Sequence, residues 1–229
     1  MKILLAALLA LTLTACATAP ANVVLGSDAP DGLVVFEVAT QGPAATTFYQ
    51  IEGAAYDSAQ SRIEGSGYFL MGAGGAPGKP SARYAVARAK PGTYVLTAIS
   101  HMGTWYDCFN GDTIAFDVTP GAVTFLGELD ARPALADIAL KLPSYSMNSQ
   151  KFYVLDTPRP AVTPPSALPD WTSDLAVYLK ANFPQVSAPL KAATFQPAKF
   201  ESGRSLFGEK VCYGYFNRAK DDPKPRPAK

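Results

Sequence analysis

The sequence predicts a mainly β protein, an antiparallel β-sandwich with a short α-helical C-terminal extension. Three observations carry this. Short apolar runs, several alternating with polar residues at a period of two, recur from Leu33 to Leu142. Turn signals separate them, among them Pro91-Gly92 and Pro120-Gly121, where Pro fixes its own dihedral and Gly tolerates the positive one that follows. Eleven Tyr and twelve Phe supply the aromatic side chains that suit a pleated, half-buried surface.

Leu33 to Val38 is a continuous apolar run, a buried first strand. Thr46 to Ile51 reads as a second strand and Gly67 to Met71 as a weaker third. Gly72 to Lys79 is a loop by composition. It is not a phosphate-binding loop, because Ala73 stands where the upstream glycine is needed and Pro80 replaces the hydroxyl that would meet magnesium. Arg83 to Ala89 and Thr93 to Ile99 flank the first Pro-Gly, and Ile114 to Val118 and Val123 to Leu129 flank the second, a rhythm that reads as hairpins. Asp137, Ala139 and Lys141 alternate with Ile138, Leu140 and Leu142, which predicts one more half-exposed strand before Pro143.

Beyond a Pro-rich connector with a short strand at Phe152 to Leu155, one helix is expected. Asp170 or Thr172 would cap it, Trp171, Leu175, Tyr178, Leu179 and Phe183 form its apolar stripe, and Pro184 ends it. Such a short helix needs a surface to lie on, and the sandwich is nearest. A last strand, Lys210 to Phe216, contains Cys212. The segments are then 31–143 for the sandwich, 144–216 for connector, helix and final strand, and 217–229 for a disordered tail. That tail holds five basic side chains against two acidic ones, a solubilising composition that could also touch anionic polymer or head groups.

The N-terminus reads differently. Lys2 precedes an apolar run from Ile3 to Leu13, the layout of a secretory signal peptide and too short to span a bilayer. It closes on Leu13-Thr14-Ala15-Cys16, which resembles the lipobox of bacterial lipoproteins. The resemblance implies cleavage after Ala15, leaving 1–15 as signal and Cys16 as the lipidated N-terminus carrying diacylglycerol and an acyl chain such as palmitate. Residues 16–30 are Ala/Pro/Thr-rich and read as a flexible tether. In that family an aspartate after the cysteine commonly retains the protein at the inner membrane. Ala17 therefore points to the outer membrane, facing the periplasm.

Composition bounds the rest. Hydrophobic residues at 48% and charged residues at 17% fit a globular body of one domain with appendages, or two small domains. A net charge of +1 argues against a nucleic-acid partner. Cys108 and Cys212 remain once Cys16 is assigned to lipid, and an exported protein with two such cysteines favours a disulfide. Both could instead be buried thiols, or Cys108 a nucleophile with His101, the single histidine, as its base.

No catalytic constellation is readable. One histidine excludes paired-histidine zinc motifs, Gly65-Ser66-Gly67 lacks the spacing of a nucleophile elbow, and no cofactor or metal is implied. Glu52, Asp57, Glu64, Asp107, Asp112 and Glu128 are available as carboxylates, most expected at solvated strand edges or turns. Trp105 and Tyr106 are candidate binding residues, a stacking platform for glycan, against the plainer reading in which Trp105 caps the core.

Ala89-Lys90-Pro91-Gly92-Thr93-Tyr94-Val95-Leu96 and Phe116-Asp117-Val118-Thr119-Pro120-Gly121, closing on Phe125-Leu126-Gly127, resemble small envelope lipoproteins with a transthyretin-like or carboxypeptidase-regulatory-like β-sandwich. That resemblance covers about half the mature chain and speaks to fold. The expected protein is a lipid-anchored envelope module with a binding or structural role, its partner an envelope protein or peptidoglycan. The rival readings are an envelope enzyme acting on cell-wall glycan or peptide, and a docking subunit of an envelope complex.

Overall fold

The computed structural model describes residues 23–75, 81–101, 104–142, 153–155, 159–201, 203–204 and 210–212. Cys16, the signal peptide, the tail 217–229, most of the connector and the end of the glycine-rich loop lie outside the described residues. The described part is mainly β and consists of two facing sheets.

The first sheet holds β1 (Gly32–Val38), β4 (Tyr84–Ala89), β8 (Val123–Asp130), β10 (Ala161–Thr163) and β11 (Leu190–Ala192). β1 lies antiparallel to β4, with Gly32 opposite Ala89, and parallel to β8, with Leu33 opposite Val123. β10 and β11 share the far edge of β8, one antiparallel and one parallel. The second sheet runs β12 (Gln196–Ala198), β7 (Thr113–Val118), β5 (Gly92–His101), β2 (Tyr49–Asp57) and β3 (Arg62–Ala73), antiparallel throughout. β6 (Trp105–Cys108) continues it along β5, and β9 (Tyr153–Leu155) adds in parallel to β6. A two-residue pair, β13 (Gly203–Arg204) with β14 (Lys210–Val211), stands apart.

The period-two pattern sorts side chains between layers. Val34, Phe36 and Val38 of β1 face the second sheet, in a core shared with Tyr49, Ile51, Phe69, Met71, Tyr94, Leu96 and Phe116. Leu33 and Val35 face the other way and pack under α3 (Trp171–Asn182) through Leu175 and Leu179, with Tyr84, Val86, Val123 and Phe125. The helix is thus the outer layer of the first sheet. Asp170 occupies its N-cap position, but in a left-handed conformation and without a side-chain cap bond. Its carbonyl accepts from Ser173 Oγ at 2.8 Å and Asp174 N at 3.2 Å instead.

Four expectations need correction. Asp137 to Leu142 is no strand: it belongs to α2 (Arg132–Lys141), which with α1 (Pro43–Thr46) plugs one end of the sandwich through Ala44, Ala134, Leu135 and Ile138. The Pro-Gly turns do not make hairpins. β4 and β5 lie in different sheets, as do β7 and β8, so each turn carries the chain across the sandwich. Gly121 has φ +61°, and a Cβ there would sit 2.1 Å from the carbonyl oxygen of Ser27. Thr46 falls in α1, and the second strand runs later, from Tyr49 to Asp57. Finally, the body begins before Asp31. Val23 is 4% exposed and Leu25 fully buried, and Leu25 bridges to Val186.

Candidate functional site

The two body cysteines meet. Cys108 Sγ is bonded to Cys212 Sγ, with Cα atoms 5.1 Å apart and a separation of 104 positions in sequence. Cys108 ends β6 rather than sitting in a loop, and Cys212 follows directly on β14. The bond removes the thiol that a nucleophile would need. His101 is not beside it either: His101 stands opposite Trp105 in the register, while Cys108 stands opposite Ala98. The imidazole Nδ1 is 3.0 Å from Thr104 Oγ1, and its ring lies between Phe48 and Trp105 at centroid distances of 6.4 and 6.5 Å.

Trp105 is 4% exposed and belongs to the main core, so its indole offers no face to a glycan. The stacking platform is corrected to a core cap. Tyr106, next along β6, turns to the opposite face and is half-buried. Burial first, then the charge and hydrogen bonding of Glu52, push its phenol up to about 12.

Glu52 is the centre of a polar patch on the outer face of the second sheet. It is 1% exposed, and Ser100 Oγ donates to its Oε1. Gln50 stands opposite Ser100, Ser100 opposite Tyr106, and Glu52 opposite Ala98, which itself stands opposite Cys108. Asp107 is also 1% exposed. Glu52 and Asp107 are therefore not solvated edge residues. Asp57, Glu64, Asp112 and Glu128 retain solvent contact, as expected. Farther along this face the C-terminal segment crosses the sheet: Phe200 packs on Ala54, Tyr56, Ile63, Val95 and Ala115. Phe200 N donates to Asn110 O, and Tyr56 Oη donates to Lys199 O, both at 2.9 Å. Beside the Glu52 patch, the disulfide fastens the same segment.

No protein-family model matches the chain. Neither a curated protein nor a solved structure matches it. The assignment of a site therefore stands on geometry alone.

An open groove lies at the end plugged by α1 and α2, lined by Glu37 to Gln41, Arg83, Glu128 and Arg132, with a volume of about 230 Å³. That is smaller than a usual small-molecule pocket. Both arginines are engaged. Arg83 Nε donates to Glu37 Oε1 at 2.8 Å and Nη2 to Asp174 Oδ2 at 2.6 Å, and these hydrogen bonds raise its pKa. Arg132 holds Asp130 through two bonds of 2.8 Å, which keep that carboxyl below its usual range. The groove lining is charge-balanced, with two acidic and two basic side chains. Sequence reading missed it, because its residues are spread over β1, β8, α2 and two connecting loops. Among the described residues, no three His, Cys, Asp or Glu group as metal ligands, and no helix is long and apolar enough to cross a membrane.

Proposed function

We propose that the protein is an envelope lipoprotein, anchored through Cys16 and facing the periplasm from the outer membrane, and acting as a binding or structural module. The observation that carries this reading is the use of its three cysteines. Cys108 and Cys212 are bonded, which suits an oxidising compartment, and the remaining one is the lipobox cysteine. Cleavage after Ala15 and acylation of Cys16 give more than one lipid chain, enough for stable anchoring. The site chemistry supports a binding or structural role: the body thiols are linked to each other, and Glu52 is buried. The transthyretin-like resemblance fits the two-sheet body.

The test is Cys16→Ser. Wild-type protein from the envelope should yield an N-terminal peptide carrying diacylglycerol and acyl mass. The variant should lose that mass and leave the membrane in a high-salt wash. A Cys16→Ser protein still lipid-modified and membrane-bound would refute the anchor. Sedimentation with isolated peptidoglycan, compared with crosslinking to envelope proteins, then separates the two partner classes.

A further inference from the structure

We propose that the end of the sandwich bearing the Pro91-Gly92 and Pro120-Gly121 turns faces the lipid surface, so that the groove at Arg83 and Arg132 faces away from it. This deepens the reading above and rests on anchoring through Cys16.

The body starts unexpectedly close to the lipidated cysteine. Six residues separate Cys16 from Val23, which is already buried. Seven steps of fully extended chain reach at most about 25 Å. Where the chain enters the body is equally well fixed. Leu25 O accepts from Ser187 N at 2.9 Å, Val24 O accepts from Arg88 Nη2 at 2.8 Å, and Ser27 lies against Gly121. All of these lie at the end where β1 begins and β4 finishes. β1 then runs the length of the sandwich to Glu37 and Val38, which line the groove. Its seven residues span about 23 Å. The tether enters at one end of the molecule and the groove opens at the other.

A second observation concerns the entry point itself. Val24 is 58% exposed, one of four large apolar side chains so exposed among the described residues. It sits beside the Arg88 guanidinium, and an apolar side chain with a cation at its shoulder suits the head-group zone. Around it the exposed turn residues are Asp28, Pro30, Lys90, Pro91 and Pro120. Asp31 is within 3.5 Å of Arg88, and exposed Lys90 and Asp28 have opposite signs. The orientation is set by the short tether rather than by a charged face.

The test uses lipidated full-length protein in phosphatidylethanolamine–phosphatidylglycerol vesicles doped with a nitroxide-head-group lipid. A small fluorophore on a non-natural side chain replaces Lys90, Asp28 or Gln41 in separate samples, which leaves the disulfide intact. Most emission should be lost at positions 90 and 28 and retained at position 41. Equal quenching at all three, or stronger quenching at 41, overturns the orientation. Flotation of the same samples reports the anchor independently. Protein that fails to float refutes the anchor and the orientation with it, whereas floating protein with equal quenching refutes the orientation alone.

Discussion

Trp171 stacks on Phe125, with ring centroids 4.8 Å apart and planes 17° from parallel. This joins the first turn of α3 to β8, and Arg83 adds its 2.6 Å bond to Asp174 one turn on. The helix carries Leu175 and Leu179 into the same layer. Trp171→Ala should cost about 2 kcal/mol, below the roughly 3–5 kcal/mol of a fully enclosed aromatic, because the indole is half-buried. Thermal melting would register a drop of about 4–8 °C for a domain of this size. An unchanged melting temperature would show that the helix is held by its leucines alone.

The bond between Cys108 and Cys212 closes a long loop. For about a hundred residues, chain entropy alone gives roughly 4–5 kcal/mol of stabilisation relative to the unlinked unfolded chain. The double variant Cys108→Ala, Cys212→Ala should melt well below wild type and should be cut by protease near Lys199 before the body unfolds. Wild type in excess reductant should behave alike. If both melt as the oxidised protein does, the segment is fixed by Phe200 and the Tyr56 hydrogen bond without the bond's help.

Phe69 covers Gly53 so closely that a Cβ on Gly53 would lie 2.1 Å from the tip of the ring. The ring also packs against Tyr94 and Phe116, at 5.6 and 6.2 Å between centroids. Gly53→Ala must push it into them and should destabilise by about 1–3 kcal/mol. Combining it with Phe69→Leu should recover part of the loss. Strictly additive effects in a double-mutant cycle would contradict the contact.

Tyr84 and Tyr106 contribute to the alkaline limit, together with Tyr49, Tyr94 and Tyr178, whose phenols burial also pushes up. Burial, then the charge of nearby carboxylates, raises Tyr84 and Tyr106 to about 12. Their folded-state values lie above the unfolded value near 10. The folded state therefore holds more protons, so this stabilisation is full below about pH 10 and is lost as pH rises towards 12. Absorbance at 295 nm should show these phenols ionising late, and melting temperature should fall between pH 10 and 12. Tyr106→Phe should flatten part of that fall; a variant with the wild-type slope would remove Tyr106 from the account.

The legible parts of the sequence were those with unbroken pattern. Leu33 to Val38, Thr93 to Ile99 and Val123 to Leu129 lie in strands because their apolar runs tolerate only burial. The α2 region misled because six residues from Asp137 to Leu142 fit a period of two, while the helix begins earlier, at Arg132. Over its full span the buried set is Ala134, Leu135 and Ile138, and Leu140, read as inward, is 86% exposed. The second strand was hidden by Gly53, Ala54 and Ala55, whose small side chains carry little signal although an aromatic lies over one of them. Of the candidate site, the disulfide was readable from cysteine count and the export that the N-terminal pattern predicts. Glu52 was not, because alternation places a carboxylate on the outward face and cannot report what covers that face. The alternating Gln50 and Glu52 next to a buried Ile51 were the one available hint.

β1 sits between two partners that arrive late. Val34 faces Ala87 on one side and Thr124 on the other, so the centre of the first sheet waits for distant sequence. Closing such long loops precedes any reward from pairing, which slows folding. β2 and β3 are joined by a short turn and can pair as soon as they emerge. The second sheet is therefore expected to organise first, and β1 to keep one edge unpaired until β8 is made. A strand edge left open in this way keeps the newly made chain incompletely folded for longer, the state that the export we propose requires.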